Sequence, residues 1–246
     1  MAFDAVIQRY STKEVAVLMY HLHIPAPDPM TNPSTQTRAQ FYEIKGTPSY
    51  GFDGKIVTGG GSKEETQRFY DDMKRQIEAG LQKPAAARLD LSAAIKGPLV
   101  TVKAAVDDVK AKSSDLTLHI ALLEHHITYS GQSGTRFHPM VVRSLGGEKS
   151  NGFKISASGK SNVEQIFDLQ KISAELKSHL DDFEKERKIT FYRKKHEIDR
   201  QNLSVAAFVQ NAKSKEILQA AVIKVRPEEQ SISLDFSNAS PVQSER

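Results

Sequence analysis

A chain of 246 residues is long enough for one large domain or two of about 80 to 150 residues, and either could bury a core. Its 34 basic and 30 acidic residues leave a net charge of +4, spread along the chain, which does not argue for a nucleic-acid partner. It contains no cysteine, which excludes disulfides, thiolate metal sites and thiol catalysis within this polypeptide.

The apolar runs are short and periodic, and none approaches the length of a membrane span. The first residues, MAFDAVIQRY, lack the basic start and apolar core of a signal peptide. Phe3, Val6, Ile7 and Tyr10 sit at helical spacing. Val15 to Ile24, VAVLMYHLHI, is almost continuously apolar and predicts a strand buried on both faces of a parallel sheet. After the proline-rich loop Pro25 to Pro33, residues 34–42 read as a helix with Ser34 as its cap. Two short strands follow, near Ser49 to Phe52 and Lys55 to Thr58, turning at Asp53-Gly54, a strong hairpin signal. Gly59 to Gly61 breaks the chain. Ser62 to Glu65 has capping-box spacing and opens a helix whose apolar positions are Phe69, Met73, Ile77 and Leu81, ending before Pro84.

Beyond Pro84 the period changes to two. Leu89 to Ile95, Leu99 to Val106, Leu116 to Leu123, Leu203 to Val209 and Ile217 to Val225 predict strands separated by polar turns, a pattern that suggests a β-sandwich. Glu124 to Tyr129 and Arg136 to Arg143 read as two strands of a hairpin around Gly131 to Gly134. Ile172, Leu176, Leu180 and Phe183 share one face of a helix from about Lys171 to Lys188, crossing the sandwich surface. From Lys171 to Arg200, 16 of 30 residues are charged with both signs interspersed, as on a solvated face. The tail after Pro227 is polar except for Ile232, Leu234 and Phe236.

The order helix, buried strand, helix, Gly46-Thr47-Pro48, hairpin with Phe52-Asp53-Gly54-Lys55, helix resembles the thioredoxin fold from its first helix onward. More narrowly, Tyr20 to Pro33, Arg136 to Leu145 and Ala206 to Ala221 resemble a bacterial family of exported proteins. In that family a thioredoxin-like domain precedes an immunoglobulin-like sandwich. The fold expected is therefore α/β plus all-β: residues 1–84 as a thioredoxin-like domain without its first strand, 85–226 as an immunoglobulin-like β-sandwich with a helical insertion, and 227–246 as a polar tail. Members of this kind carry Cys-x-x-Cys at the start of the first helix, and Met1-Ala-Phe-Asp falls just after that position. The resemblance leaves open a truncated body of an exported thiol-disulfide oxidoreductase and a true thiol-free relative. It also implies a vacant sheet position, filled by the flanking strands, a partner or second copy of the chain, or the segment Ser231 to Phe236.

By the same resemblance, Gly46, Thr47 and Pro48 form a loop whose backbone would face a substrate strand, with Pro48 in a cis peptide. Without a thiolate this remnant cannot exchange disulfides, because exchange requires a thiolate attacking sulfur. The reading is a binding or scaffolding module with no cofactor, an unknown protein partner and an exported or periplasmic location. Two histidine groups suggest other chemistry. His21 and His23, with Asp28 nearby, would place two imidazoles on one strand face beside a carboxylate, a set zinc accepts, although the same residues could simply end a strand by hydrogen bonding to the proline loop. His125, His126 and His138 would converge only through cross-strand register. Finally, Tyr129, Arg136, Phe137, His138 and Arg143 compose a candidate recognition patch of aromatic and guanidinium groups.

Overall fold

A computed structural model describes residues 2–58, 64–111, 113–131 and 134–228. The chain is mixed α and β, mostly sheet. In order, its elements are α1 (Ala2–Arg9), α2 (Pro33–Tyr42), β1 (Ser49–Phe52), β2 (Lys55–Thr58), α3 (Thr66–Leu81), β3 (Arg88–Lys96), β4 (Leu99–Asp107), β5 (Leu116–Glu124), β6 (Ile127–Thr128), β7 (Phe137–His138), β8 (Val141–Leu145), β9 (Phe153–Lys154), β10 (Ser161–Asp168), α4 (Leu169–Arg187), β11 (Leu203–Asn211), β12 (Ile217–Lys224) and β13 (Arg226–Pro227).

Two sheets face one another. One has the strand order β10-β4-β3-β13 and the other β12-β11-β5-β8, with β9 also pairing β5. Alternation selects their inner faces: Val100, Val102, Ala104 and Val106 of β4 meet Leu116, Leu118, Ile120 and Leu122 of β5 and Leu203, Val205, Ala207 and Val209 of β11 in one buried cluster. Leu169, Ile172 and Leu176 of α4 join that cluster, while Leu180 is also buried. Asp168 caps α4 by accepting from the Gln170 and Lys171 amides, so the helix starts directly from the end of β10.

The outer face of the five-stranded sheet is covered as well. Ala121, Leu123, Val142, Leu145 and Ala206 form a second cluster with Val17, Leu18 and Tyr20 of the segment before α2. That segment is the expected buried strand Val15 to Ile24, and here the expectation fails. It forms no strand: its pairing is an isolated parallel bridge, Met19 with Val141, in which Met19 donates to Met140 O and accepts from Val142 N. The apolar run is shared between two surfaces, Val15 turning to the cluster of α1 and α3 while Val17, Leu18 and Tyr20 lie on the sheet, so its hydrophobicity reports burial and not pairing. The flanking-strand solution to the expected gap therefore does not occur among the described residues, and Ser231 to Phe236 lies outside them.

Helix α2 fastens this layer. Its cap is Asn32, not Ser34: the Asn32 side chain accepts from the Thr35 amide while Thr35 Oγ1 accepts from the Asn32 amide, and Pro33 takes the first helical position, where its missing N–H costs nothing. Asn32 Nδ2 also donates to Val142 O at 2.9 Å, and Ser34 Oγ accepts from the Leu145 amide at 3.0 Å, so the helix start satisfies backbone groups of β8. Arg38, 3% exposed, donates through Nη2 to Tyr42 Oη at 2.9 Å and Gln210 Oε1 at 2.7 Å. Its guanidinium lies 4.6 Å from the Phe41 ring and 5.4 Å from the Phe208 ring, a cation–π setting.

The third helix packs against the first through Val6, Met73 and Ile77, with Phe3, Tyr10, Tyr50, Phe52 and Tyr70 around them, while Leu81 is 44% exposed. Ser62 of the expected capping box lies outside the described residues; the cap position of α3 is Glu65, which makes no side-chain capping bond. The β1–β2 hairpin forms in the expected register, Phe52 opposite Lys55. Asp53 and Gly54 have φ of 48° and 88°, the left-handed pair of a type I′ turn. This turn abuts the β11–β12 turn, where Asp53 O accepts from the Ile217 amide at 3.1 Å. A Cβ on Gly54 would lie 1.7 Å from Lys215 O. Gly54→Ala should therefore lower stability by about 2 kcal/mol or more, combining left-handed strain with a backbone clash. Gly46→Ala, with nothing within 4 Å of the added carbon, should cost far less; equal losses in urea unfolding would refute the assigned contact.

Candidate functional site

The Gly46-Thr47-Pro48 loop precedes β1, with Thr47 and Pro48 exposed and Gly46 half-buried. The Thr47–Pro48 peptide bond is cis, as is Ile24–Pro25. Thr47 Oγ1 donates to Ile24 O at 2.6 Å and Ser49 Oγ donates to Gly46 O at 2.7 Å. The first bond joins the two proline loops and the second closes the Gly46–Ser49 turn, with Thr47 and Pro48 left exposed.

The first histidine group is brought together, but as a hydrogen-bonded junction. His21 Nδ1 lies 2.7 Å from Asp28 Oδ2, and His23 Nδ1 accepts from the Asp28 amide at 3.0 Å. Burial acts to raise the Asp28 pKa, yet the His21 hydrogen bond and charge and the Met30 amide outweigh it and hold the carboxyl below its ordinary value. The His23 ring stacks on Phe183 of α4 at 3.6 Å between centroids, with His179 and Phe191 beside it. Sequence spacing could place His179 and Phe183 on one helical face, but their meeting with His23 depends on long-range packing. Among the described residues there is no group of three or more His, Cys, Asp or Glu side chains able to hold a metal, so the geometry lends the zinc reading no support.

The hairpin read from Glu124 to Arg143 forms in interrupted register. Glu124 opposes Val141 in the main sheet, and Ile127 opposes His138 and Thr128 opposes Phe137 beyond it. The breaks fall where His126 and Met140 adopt φ of 60° and 55°. These kinks carry β6 and β7 past the end of the sheet. Of the expected recognition patch, Phe137 is 65% exposed, Arg136 is exposed and Tyr129 half-buried. His138 is buried, its Nε2 donating to Tyr129 O at 3.0 Å, and the His21 ring meets it edge to face. His125 instead hydrogen-bonds Ser204 Oγ at 2.7 Å. Arg143 departs from the expectation: its side chain is buried beneath the hairpin, with Nε 3.2 Å from Glu124 Oε2 and Nη2 donating to Lys195 O at 2.7 Å and Glu197 O at 3.2 Å. The expected patch therefore splits into a surface pair, Arg136 and Phe137, and a buried ion pair. Tyr192, 98% exposed and outside the patch read from sequence, lies in the loop whose next residues face Arg143.

No protein-family model matches the chain, and no curated protein matches it. Among solved structures, HBP35 of Porphyromonas gingivalis is similar in fold, with a TM-score of 0.53 at 15% identity, covering 87% of this chain and 60% of that one. The chain thus spans 60% of the length of the HBP35 chain it matches. A domain of the outer membrane lipoprotein Omp28 from Porphyromonas gingivalis aligns over 60% of this chain and 93% of that one, at 11% identity and a TM-score of 0.34. Among the described residues no helix is long and apolar enough to cross a membrane.

The buried imidazoles impose a pH dependence. Burial, then the charge of His179, pushes His23 down to about 4, and burial with Arg38 pushes His119 down to about 3. An unfolded histidine titrates near 6.5. Between that pH and about 4, the unfolded chain therefore binds protons that the folded chain refuses, so stability is full above pH 6.5 and falls as pH is lowered. Melting temperature should decline from pH 7 to 4.5. His119→Gln keeps an acceptor for Arg38 but takes up no proton, and should decline less steeply; an unchanged slope would assign the loss to other groups.

Proposed function

We propose that the chain is a redox-inactive, thioredoxin-like binding module joined near Pro84 to an immunoglobulin-like β-sandwich, and that it acts outside the cytoplasm of a bacterium. The N-terminal reading is supported by the order α1, α2, Gly46-Thr47-Pro48, β1–β2 hairpin, α3. Strand order supports the sandwich reading. Taking β3, β4, β5, β8, β10, β11 and β12 as A, B, C, C′, E, F and G, the sheets read E-B-A, with the two-residue β13 added beyond A, and G-F-C-C′, the division of strands found in immunoglobulin-like sandwiches. The exported location follows from the resemblance of Tyr20 to Pro33, Arg136 to Leu145 and Ala206 to Ala221 and from nothing in the geometry.

The observation that carries the binding reading is the exposure of two aromatic rings on the segments that flank one cleft. Phe137, 65% exposed, opposes Thr128, which lines the cleft, and Tyr192, 98% exposed, precedes Arg193, which lines it from the other side. Exposed aromatics beside guanidinium groups are the composition of interface hot spots. Catalysis of disulfide exchange is excluded by composition: in an insulin-reduction assay with dithiothreitol the purified chain should leave the uncatalysed rate unchanged. For the binding role, Phe137→Ala/Tyr192→Ala should keep the parent melting temperature and lose the proteins that the parent chain retains from a periplasmic extract. Retention by the variant of everything the parent binds would overturn the assignment to these rings.

A further inference from the structure

We infer that the cleft between the β6–β7 hairpin and residues 193–199 is an oxyanion site, in which Arg143, Arg193 and Lys195 receive one carboxylate or phosphate group. The cleft has a volume of about 280 Å³, and its lining includes Glu124, Ile127, Arg143, Arg193, Lys195 and Glu197. That volume is just below the usual range for pockets that hold drug-sized molecules. It suits a single charged head group.

The argument starts from Arg143. Its side chain is fully buried, yet among the described residues its Nη1 has no acceptor. Nη2 is committed to the carbonyls of Lys195 and Glu197. Glu124 offers only a partial answer, because one oxygen accepts from the Asp199 amide at 2.9 Å and the other approaches Nε without completing a hydrogen bond. Burial raises the Glu124 pKa and lowers that of Arg143, each opposed by the other's charge, so the pair is under-solvated on both sides. An unsatisfied buried donor on a charged group is costly, and an incoming anion would supply its acceptor.

Three further cations, Arg193, Lys194 and Lys195, line the cleft. Among the described residues neither the Arg193 nor the Lys195 side chain has a carboxylate within ion-pair distance, whereas neighbouring Lys194 is bound to Asp181 and Glu184. Burial and the charge of Arg193 hold Lys195 below its ordinary pKa, as expected where positive groups crowd together. The acids of the lining oppose them only in part: Asp199 accepts from the Gln201 amide and from Asn202 Nδ2, Glu197 is exposed, and the charges of Glu124 and Glu197 raise the Lys195 pKa without offsetting burial and Arg193. A cation would meet Arg143, Arg193 and Lys195. An apolar group would leave them unpaired.

This inference shares its cleft with the binding reading above, but the two can fail separately. The purified chain is titrated with sodium phosphate, sodium acetate and, at matched ionic strength, sodium chloride, following melting temperature and the NMR signal of the Arg143 side chain. Phosphate or acetate is expected to raise the melting temperature saturably and shift the Arg143 signal. Acetate matching phosphate assigns the site to oxyanions in general; phosphate alone assigns it to phosphate groups, and acetate alone to carboxylates. Arg193→Ala/Lys195→Ala should weaken binding about tenfold or more with the ligand-free melting temperature nearly unchanged. Phe137→Ala/Tyr192→Ala should bind the anion as the parent does, which separates this site from the aromatic surface. A rise equal to that in chloride, an unmoved Arg143 signal, or undiminished affinity in the Arg193→Ala/Lys195→Ala chain would overturn the proposal as an adventitious ion effect only.

Discussion

Strands β5 and β11 bury side chains on both faces, and this single constraint obliges the chain to supply a layer on each side of their sheet. Inward, Leu118, Ile120, Val205 and Val209 meet the opposing sheet. Outward, Ala121, Leu123 and Ala206 would face water but for Val17, Leu18 and Tyr20. Beyond that apolar cover the same outer face turns polar, with His119 and Gln210, and α2 meets it with Arg38. A buried guanidinium with no carboxylate partner among the described residues is a demanding arrangement, since its charge must be dispersed by neutral acceptors and aromatic faces. Neutral His119 is part of the answer: protonated, it would set a second cation against Arg38 Nη1, 3.4 Å away. The layer holding the N-terminal elements in place therefore depends on an imidazole remaining uncharged.

How the chain achieves this was only partly legible in the sequence. The strands of the facing sheets were readable because alternation has a direct cause: a face turned to water and a face turned to the core. The β1–β2 hairpin was readable because few residue pairs adopt two successive left-handed conformations as easily as Asp53-Gly54. Val15 to Ile24 misled because a continuous apolar run is the expected signature of a doubly buried strand, and the same signature arises when an extended segment threads between two surfaces. The helix cap moved from Ser34 to Asn32 for a local reason, since Pro33 suits the first helical position and fixes the cap one residue earlier. What no pattern could reveal is the orientation of α2. Its buried residues are Ser34, Thr35 and Arg38, so it docks by hydrogen bonds and not by an apolar stripe.

Site residues divide along the same line. His21, His23 and Asp28 are close in sequence, and their association was foreseeable. Their partners His138, His179 and Phe183 come from β7 and α4, more than a hundred residues away, and only the packed structure brings them together. The junction thereby joins three parts of the chain, and burial holds its His23, His138 and His179 rings toward the neutral form. Arg143 was grouped with Phe137 because they are near in sequence, but the left-handed turn at Met140 separates them, sending one to the surface and the other inward.

That turn also explains why the cleft lies where it does. Because His126 and Met140 interrupt the pairing without changing its register, β6 and β7 continue as a hairpin but leave the last residues of β5 and the first of β8 without a continuing sheet. Glu124 and Arg143 sit at that end, and the backbone of residues 195–199 closes over them through three hydrogen bonds, from Arg143 to two carbonyls and from the Asp199 amide to Glu124. The loop is thus held by the same charged pair that lines the cleft. An anion completing Arg143 would bind only the form in which this loop is closed, so its binding free energy would add directly to the stability of that closure.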